Sequence, residues 1–149
     1  MSCKSTNVKQ AGSSSPIQAA IQPADYSSVA SGDNTVSNLS CDSSVAVGDV
    51  VYVNGSTVEK ASALNYQQSL AVGIVVNKPG ATTCDIATTG PVNVLSGLDT
   101  SKKYFLSETT PGALQTTPPT TSGAYVVQIG KPIANTIFTI QIQRIVKRM

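Results

Sequence analysis

The sequence predicts an all-β domain, a small β-barrel or β-sandwich of about nine or ten short strands, preceded by an extended N-terminal arm. Three observations predict it. The 149-residue chain is 40% hydrophobic but only 12% charged, against about 25% charged in ordinary domains. Its polar surface comes from Ser, Thr, Asn and Gln, which suit strands better than helix faces. Apolar residues fall in short alternating runs split by turn residues, and residues 1–33 show no such pattern. The length fits one domain, able to bury roughly two-thirds of its unfolded surface. The expected organisation is an arm over residues 1–33 and a β-rich domain over residues 34–149.

In the arm, Ser13-Ser14-Ser15-Pro16 and Ala30-Ser31-Gly32-Asp33 cannot pack a core by themselves. Val8, Ile17, Ile21, Tyr26 and Val29 stand out as sparse apolar anchors. The pattern suits an arm lying on another surface; a disordered tail is the other reading.

From Thr35 the runs begin. Asp49 to Val53 reads as a strand, and Asn54-Gly55 before Ser56 to Ala61 reads as a type I′ hairpin turn. Asn54-Gly55-Ser56 also fits a glycosylation acceptor, but the hairpin is preferred because nothing suggests secretion. Ala61 to Leu70 is the one place for a helical turn. Leu70, Val72, Ile74 and Val76 fall on one face of a central strand, with Ala71, Gly73 and Val75 on the other. Gly73 there suggests a bulge or close backbone approach, and Pro79-Gly80 a terminating turn.

Cys84, Ile86 and Thr88 alternate, Gly90-Pro91 turns the chain, and Val92 and Val94 continue the period of two. A turn at Gly97-Leu98-Asp99 leads into Tyr104-Phe105-Leu106. Pro111-Gly112 has type II turn chemistry, and Ala113 to Thr116 returns. Thr116 to Gly123 is an extended loop with Pro118-Pro119. Tyr125, Val127 and Ile129 form the next face, interrupted by Gly130 and Pro132. Phe138, Ile140 and Ile142 alternate with Thr139, Gln141 and Gln143, a half-buried strand.

The net charge of +2 is too small to indicate nucleic-acid binding. Its distribution says more. No acid follows Glu108, while Lys131, Arg144, Lys147 and Arg148 do. Arg144, Lys147 and Arg148 are therefore candidate contacts to an acidic partner, against the plainer reading of a solvated tail. Cys3, Cys41 and Cys84 are too few and too spread for a disulfide framework or a metal knuckle, so free thiols from a reducing cytoplasm are expected. Met1 to Thr6 lacks an apolar signal core, and no run approaches membrane-spanning length.

The absence of histidine removes Ser-His-Asp and Cys-His catalysis and the commonest zinc ligand. The acids stand in no motif that requires a carboxylate pair, and Asp49 and Asp99 suit turn-forming roles. The glycines are spread one per turn rather than gathered into a phosphate loop. Tyr52, Tyr104 and Phe105 lie in strand runs and read as packing residues. Tyr26 and Tyr66 lie outside them and are better partner contacts. A non-catalytic protein without cofactor or metal is expected.

The stretches Val45 to Tyr52, Leu70 to Val75, Thr89 to Val92, Leu98 to Ser107, Pro111 to Leu114, Pro118-Pro119, Gly123 to Val127 and Ile129 to Pro132 form one grammar. It runs from a turn through Tyr-Phe-Leu-Ser and Pro-Gly-Ala-Leu to a valine run and Gly. Residues 45–143 thereby resemble tailed-bacteriophage capsid decoration (cement) proteins, and also head-fibre, tail-fibre and tail-spike modules. The resemblance implies a β-rich virion domain on the outer capsid surface, made in the host cytoplasm. It also implies the major capsid protein as partner and self-association, with a trimer favoured, and neither nucleic acid nor membrane as partner. The alternative it leaves open is a fibre or host-adhesion module binding a cell-surface glycan.

Overall fold

The computed structural model describes residues 34–149. The expected arm and its anchors Val8, Ile17, Ile21, Tyr26 and Val29 lie outside the described residues. The fold is all-β. Among the described residues ten strands run in order: β1 (Thr35–Ser40), β2 (Val50–Asn54), β3 (Thr57–Lys60), β4 (Ala71–Gly80), β5 (Thr83–Ala87), β6 (Gly90–Val92), β7 (Tyr104–Leu106), β8 (Leu114–Gln115), β9 (Tyr125–Ala134) and β10 (Ile137–Lys147). The first five form one antiparallel sheet in the order β1-β5-β4-β2-β3, and the last five another in the order β6-β10-β9-β7-β8. The chain passes between sheets once, at Thr88-Thr89. Of the two architectures expected, this is the two-sheet one.

The shared core follows from the alternation. Val50, Tyr52, Ile74 and Ala87 of the first sheet meet Val92, Tyr104, Leu106, Val127, Ile129, Phe138 and Ile140 of the second. Tyr104 and Phe138 pack edge to face with ring centroids 5.7 Å apart, an arrangement the ring quadrupoles favour. A second cluster covers the other face of the first sheet: Val51, Val58, Val75, Cys84 and Ile86 pack with Cys41 and Val45. The segment between β1 and β2 supplies that cover. It is held by Asp42 N–H to Val58 O at 2.9 Å, Gly48 N–H to Val75 O at 2.8 Å and Val75 N–H to Asp49 O at 3.0 Å. The Lys78 ammonium also donates to the carbonyls of Ser43 and Val45.

Several sequence expectations shift by a residue or two, each for a local reason. The hairpin after β2 is present, but Asn54 pairs with Thr57, which leaves Gly55-Ser56 as the loop. Gly55 has φ +63° while neither Asn54 nor Ser56 has positive φ. That is the type II′ pattern rather than the expected type I′.

In β4, Val50 pairs with Ile74 and Val51 with Gly73, but Tyr52 pairs with Ala71, so Val72 is the extra residue of a bulge. The bulge breaks the expected face. Ile74, Val76 and Ala71 pack on the shared core, Val72 packs on the outer cluster, and Leu70 is exposed. Gly73 fits both of its expected uses, since a Cβ there would lie 2.2 Å from Ala87 O. Pro79-Gly80 does not end β4; the strand runs through them and turns at Ala81-Thr82.

Gly90 and Pro91 lie within β6, an edge strand paired only with β10, where a missing N–H does no harm. Nor do Gly130 and Pro132 end β9. Gly130 allows close approach to β10, because a Cβ would meet Thr139 O at 2.0 Å. Pro132 lies past Gly130, the last β9 residue that pairs with β7. Strand β1 begins at Thr35, where the short apolar runs are expected to begin. It carries the one non-glycine residue with positive φ among the described residues, Asn38 at 59°, at a bulge against β5.

The Pro111-Gly112 turn is type II as expected: Gly112 has φ +82° and Ala113 N–H donates to Thr110 O at 3.1 Å. Ala61 to Leu70 holds a single helical turn, closed by Ser69 N–H to Asn65 O at 2.9 Å. Asn65 Oδ1 caps it by accepting from Gln67 N–H at 2.9 Å.

Candidate functional site

The helical turn matters because of where it is tied. It leaves the first sheet after β3, and Ala63 then bonds to the second sheet on both sides. Its N–H donates to Ser107 O at 3.1 Å and its carbonyl accepts from Tyr125 N–H at 2.8 Å. Tyr66 is thereby brought beside Tyr125 at the start of β9, with ring centroids 5.8 Å apart and planes at 69°. Along β10, Arg144 pairs with Val127 and Lys147 with Tyr125. The register therefore brings both cations to the same place.

The Arg144 guanidinium carbon lies 4.6 Å from the Tyr66 ring centre and 5.2 Å from that of Tyr125. The Lys147 ammonium is 5.8 Å from the Tyr125 ring. These are cation–π distances. Arg148 contributes through its backbone: its N–H donates to Ala124 O at 2.7 Å and its carbonyl accepts from Gly123 N–H at 2.8 Å. That pair of bonds pins the end of β10 against the turn before β9.

The predicted partner contacts Arg144, Lys147 and Tyr66 are thus brought together. Tyr66 is 49% exposed and lies outside the strands. Tyr125 is the member that sequence reasoning missed. Its place in an alternating strand marks it as packing, and only the docked helical turn reveals its second role.

Two clefts bring acids to the surface. An open groove of about 420 Å³ runs past Val47, Asp49, Leu95, Leu98, Tyr104 and Leu114. Its carboxylate is engaged, since Asp49 Oδ2 accepts from Ala46 N–H at 2.9 Å and lies 3.7 Å from Lys60 Nζ. A cleft of about 340 Å³ brings Asp42 and Glu59 to one place with Ser44, Lys60 and Pro111, a juxtaposition that no sequence motif announced. Asp42 Oδ1 accepts from the Ser44 hydroxyl at 2.6 Å and from Ser44 N–H at 2.8 Å. The hydroxyl bond, then the N–H bond, holds its carboxyl below the usual range. Glu59 Oε1 accepts from Tyr52 Oη at 2.8 Å. Neither cleft pairs a proton donor with a free base.

The remaining acids are engaged in the same way. Asp99 accepts from the Ser101 hydroxyl at 2.6 Å and Ser101 N–H at 2.9 Å, the turn role expected of it. Glu108 bridges Thr120 N–H and Thr121 N–H, each at 2.9 Å. Those backbone donors, Thr120 first, lower its pKa to about 2. Cys41 and Cys84 are free thiols. Burial is the main reason that the Cys84 thiol is pushed up to about 12, with the Cys41 sulfur beside it next. Among the described residues no three His, Cys, Asp or Glu side chains gather as a metal would require. No described helix is long and apolar enough to cross a membrane.

No protein-family model, curated protein or solved structure matches this chain. The reading of its surface rests on its own residues.

Proposed function

We propose that the chain is a non-catalytic virion structural protein that decorates a bacteriophage capsid, bound to the outside of the shell. The observation that carries the reading is the division of labour among its charged groups. The described carboxylates each accept local hydrogen bonds from turns, loops or neighbouring strands, while the tyrosine and cation cluster at the end of β10 carries exposed Tyr66, Arg144 and Lys147. A domain arranged this way offers shape and an adhesive face rather than a reaction centre. The β-rich architecture is the one that the resemblance to decoration proteins implies.

In this reading the partner is the major capsid protein. The domain is made in the host cytoplasm, associates with itself as a trimer, and engages neither nucleic acid nor membrane. The N-terminal 33 residues reach across neighbouring coat subunits. Many copies on a lattice turn weak contacts into avidity.

A fibre or adhesion module that binds a cell-surface glycan is the second reading. The exposed Tyr66 ring favours it, because sugars stack on aromatic faces. Against it, Arg144 already covers that ring at 4.6 Å.

Copy number in purified particles separates the two. Decoration requires hundreds of copies per particle, and a few or tens would support the fibre reading. Absence from particles would overturn both. A chain beginning at Thr35 is expected to lose particle binding while remaining folded.

A further inference from the structure

We propose that Arg144, lying over Tyr66 and beside Tyr125 and seconded by Lys147, is a receptor for a carboxylate on an acidic segment of a partner protein. The inference rests on the reading of the chain as a binding module and names the chemistry of its partner.

Arg144 is exposed, yet its guanidinium is held by two rings at 4.6 and 5.2 Å. A guanidinium that lies over aromatic rings can still donate N–H hydrogen bonds to a carboxylate. Among the described residues no acid is paired with it. The one ion pair among them is Lys60 with Asp49, which involves neither cation of the cluster. The supports are rigid: Tyr125 N–H is bonded to Ala63 O at 2.8 Å and Arg148 N–H to Ala124 O at 2.7 Å. Little side-chain ordering remains to be done when a ligand arrives.

A guanidinium fork accepts carboxylate or phosphate. Nucleic acid is held by an array of phosphate contacts, typically about six to ten. Here two cations share the site on a chain of net charge +2, which suits one or two carboxylates.

The described residues of a second copy of this chain are a poor source for them. Each described acid already accepts a local hydrogen bond: Asp42 from Ser44, Asp49 from Ala46, Glu59 from Tyr52, Asp85 from Asn38 and Asn77, Asp99 from Ser101, and Glu108 from Thr120 and Thr121. The acid is therefore assigned to a different protein.

The test is a titration of the full-length protein with end-blocked hexaglutamate at low ionic strength, followed by the Arg144 Nε–Hε NMR signal. An oligothymidylate of equal charge forms the second arm. Hexaglutamate should shift that signal. Arg144→Ala should weaken binding about tenfold, Arg144→Lys nearly as much because the fork is lost, and Lys147→Gln less. Thermal melts of the same variants check folding.

Hexaglutamate binding unchanged in Arg144→Ala would overturn the proposal and leave Arg144 as a lid on the tyrosines. So would tighter binding of the oligothymidylate through Arg144, which would make the site a phosphate receptor. Particle copy number is read separately. A protein that binds hexaglutamate through Arg144 but is absent from particles refutes decoration alone. One abundant in particles whose hexaglutamate binding ignores Arg144 refutes the carboxylate receptor alone.

Discussion

In the first sheet, neighbouring residues of one strand are buried together: Val50 with Val51, Ile74 with Val75, Ile86 with Ala87. In β10 of the second sheet burial alternates, with Phe138 and Ile140 inside and Gln141, Gln143 and Arg144 in water. The strands differ less in sequence than in what lies over them. The Cys41–Asp49 segment closes the outer face of the first sheet through Val45. The end of β10 faces solvent and carries the cations. Where β2, β4 and β5 are sealed on both faces they serve as scaffold, and a strand left half open is available for recognition.

The largest expected effect tests the core that both sheets share. Phe138 is fully buried, so Phe138→Ala should lower unfolding free energy by about 4 kcal/mol in urea titration. A loss of less than a quarter of that would mean that the sheets do not pack through this ring. Next come the close approaches. Gly73→Ala in the first sheet and Gly130→Ala in the second would each press a Cβ to within 2.2 and 2.0 Å of a backbone oxygen. Each should destabilise by about 3 kcal/mol, and equal losses would show that the sheets differ in cover rather than in internal tightness.

The cover itself is tested by Val45→Ala, expected to cost about 2 kcal/mol. Val146→Ala, on the exposed end of β10, should change stability by under about 0.5 kcal/mol. If the two variants behave alike, the contrast between sealed and open faces is wrong. The same seal should protect the thiols. Cys41 and Cys84 in native protein should resist iodoacetamide at pH 8 and react after unfolding, as mass spectrometry of tryptic peptides would show.

The smallest effect is a pH dependence in the second sheet's loops. Glu108 has its folded pKa lowered from 4.5 to about 2. Its contribution is therefore present above the unfolded value and lost as pH falls from about 4.5 towards 2. Glu108→Gln should flatten that part of the acid limb in thermal melts, and an unchanged slope would remove Glu108 as a clasp on the Thr120–Thr121 loop.

Much of the fold was legible because its signals are local. Pro111-Gly112 specifies its turn through φ alone, and β10 displays its inner face by alternation. What was misplaced depended on neighbours. The hairpin loop fell on Gly55-Ser56 rather than Asn54-Gly55 because β2 and β3 pair one residue further along. The face of β4 switched because a bulge at Val72 lets Gly73 meet Ala87. Half of the candidate surface was visible as basic residues after the last acid and a tyrosine outside the strands. Tyr125 was not, since a strand residue that packs and a strand residue that stacks a cation look the same in one dimension.

The sequence by itself determined the β class, the Pro111-Gly112 turn and the unequal distribution of charge, because each depends on residue type and spacing over a few positions. The tertiary structure decided which strand faces were sealed, which acids met in a cleft, and that Arg144 should lie over Tyr66. Those outcomes depend on contacts between residues far apart in the chain, and such contacts exist only once the two sheets have packed and the helical turn has docked across them.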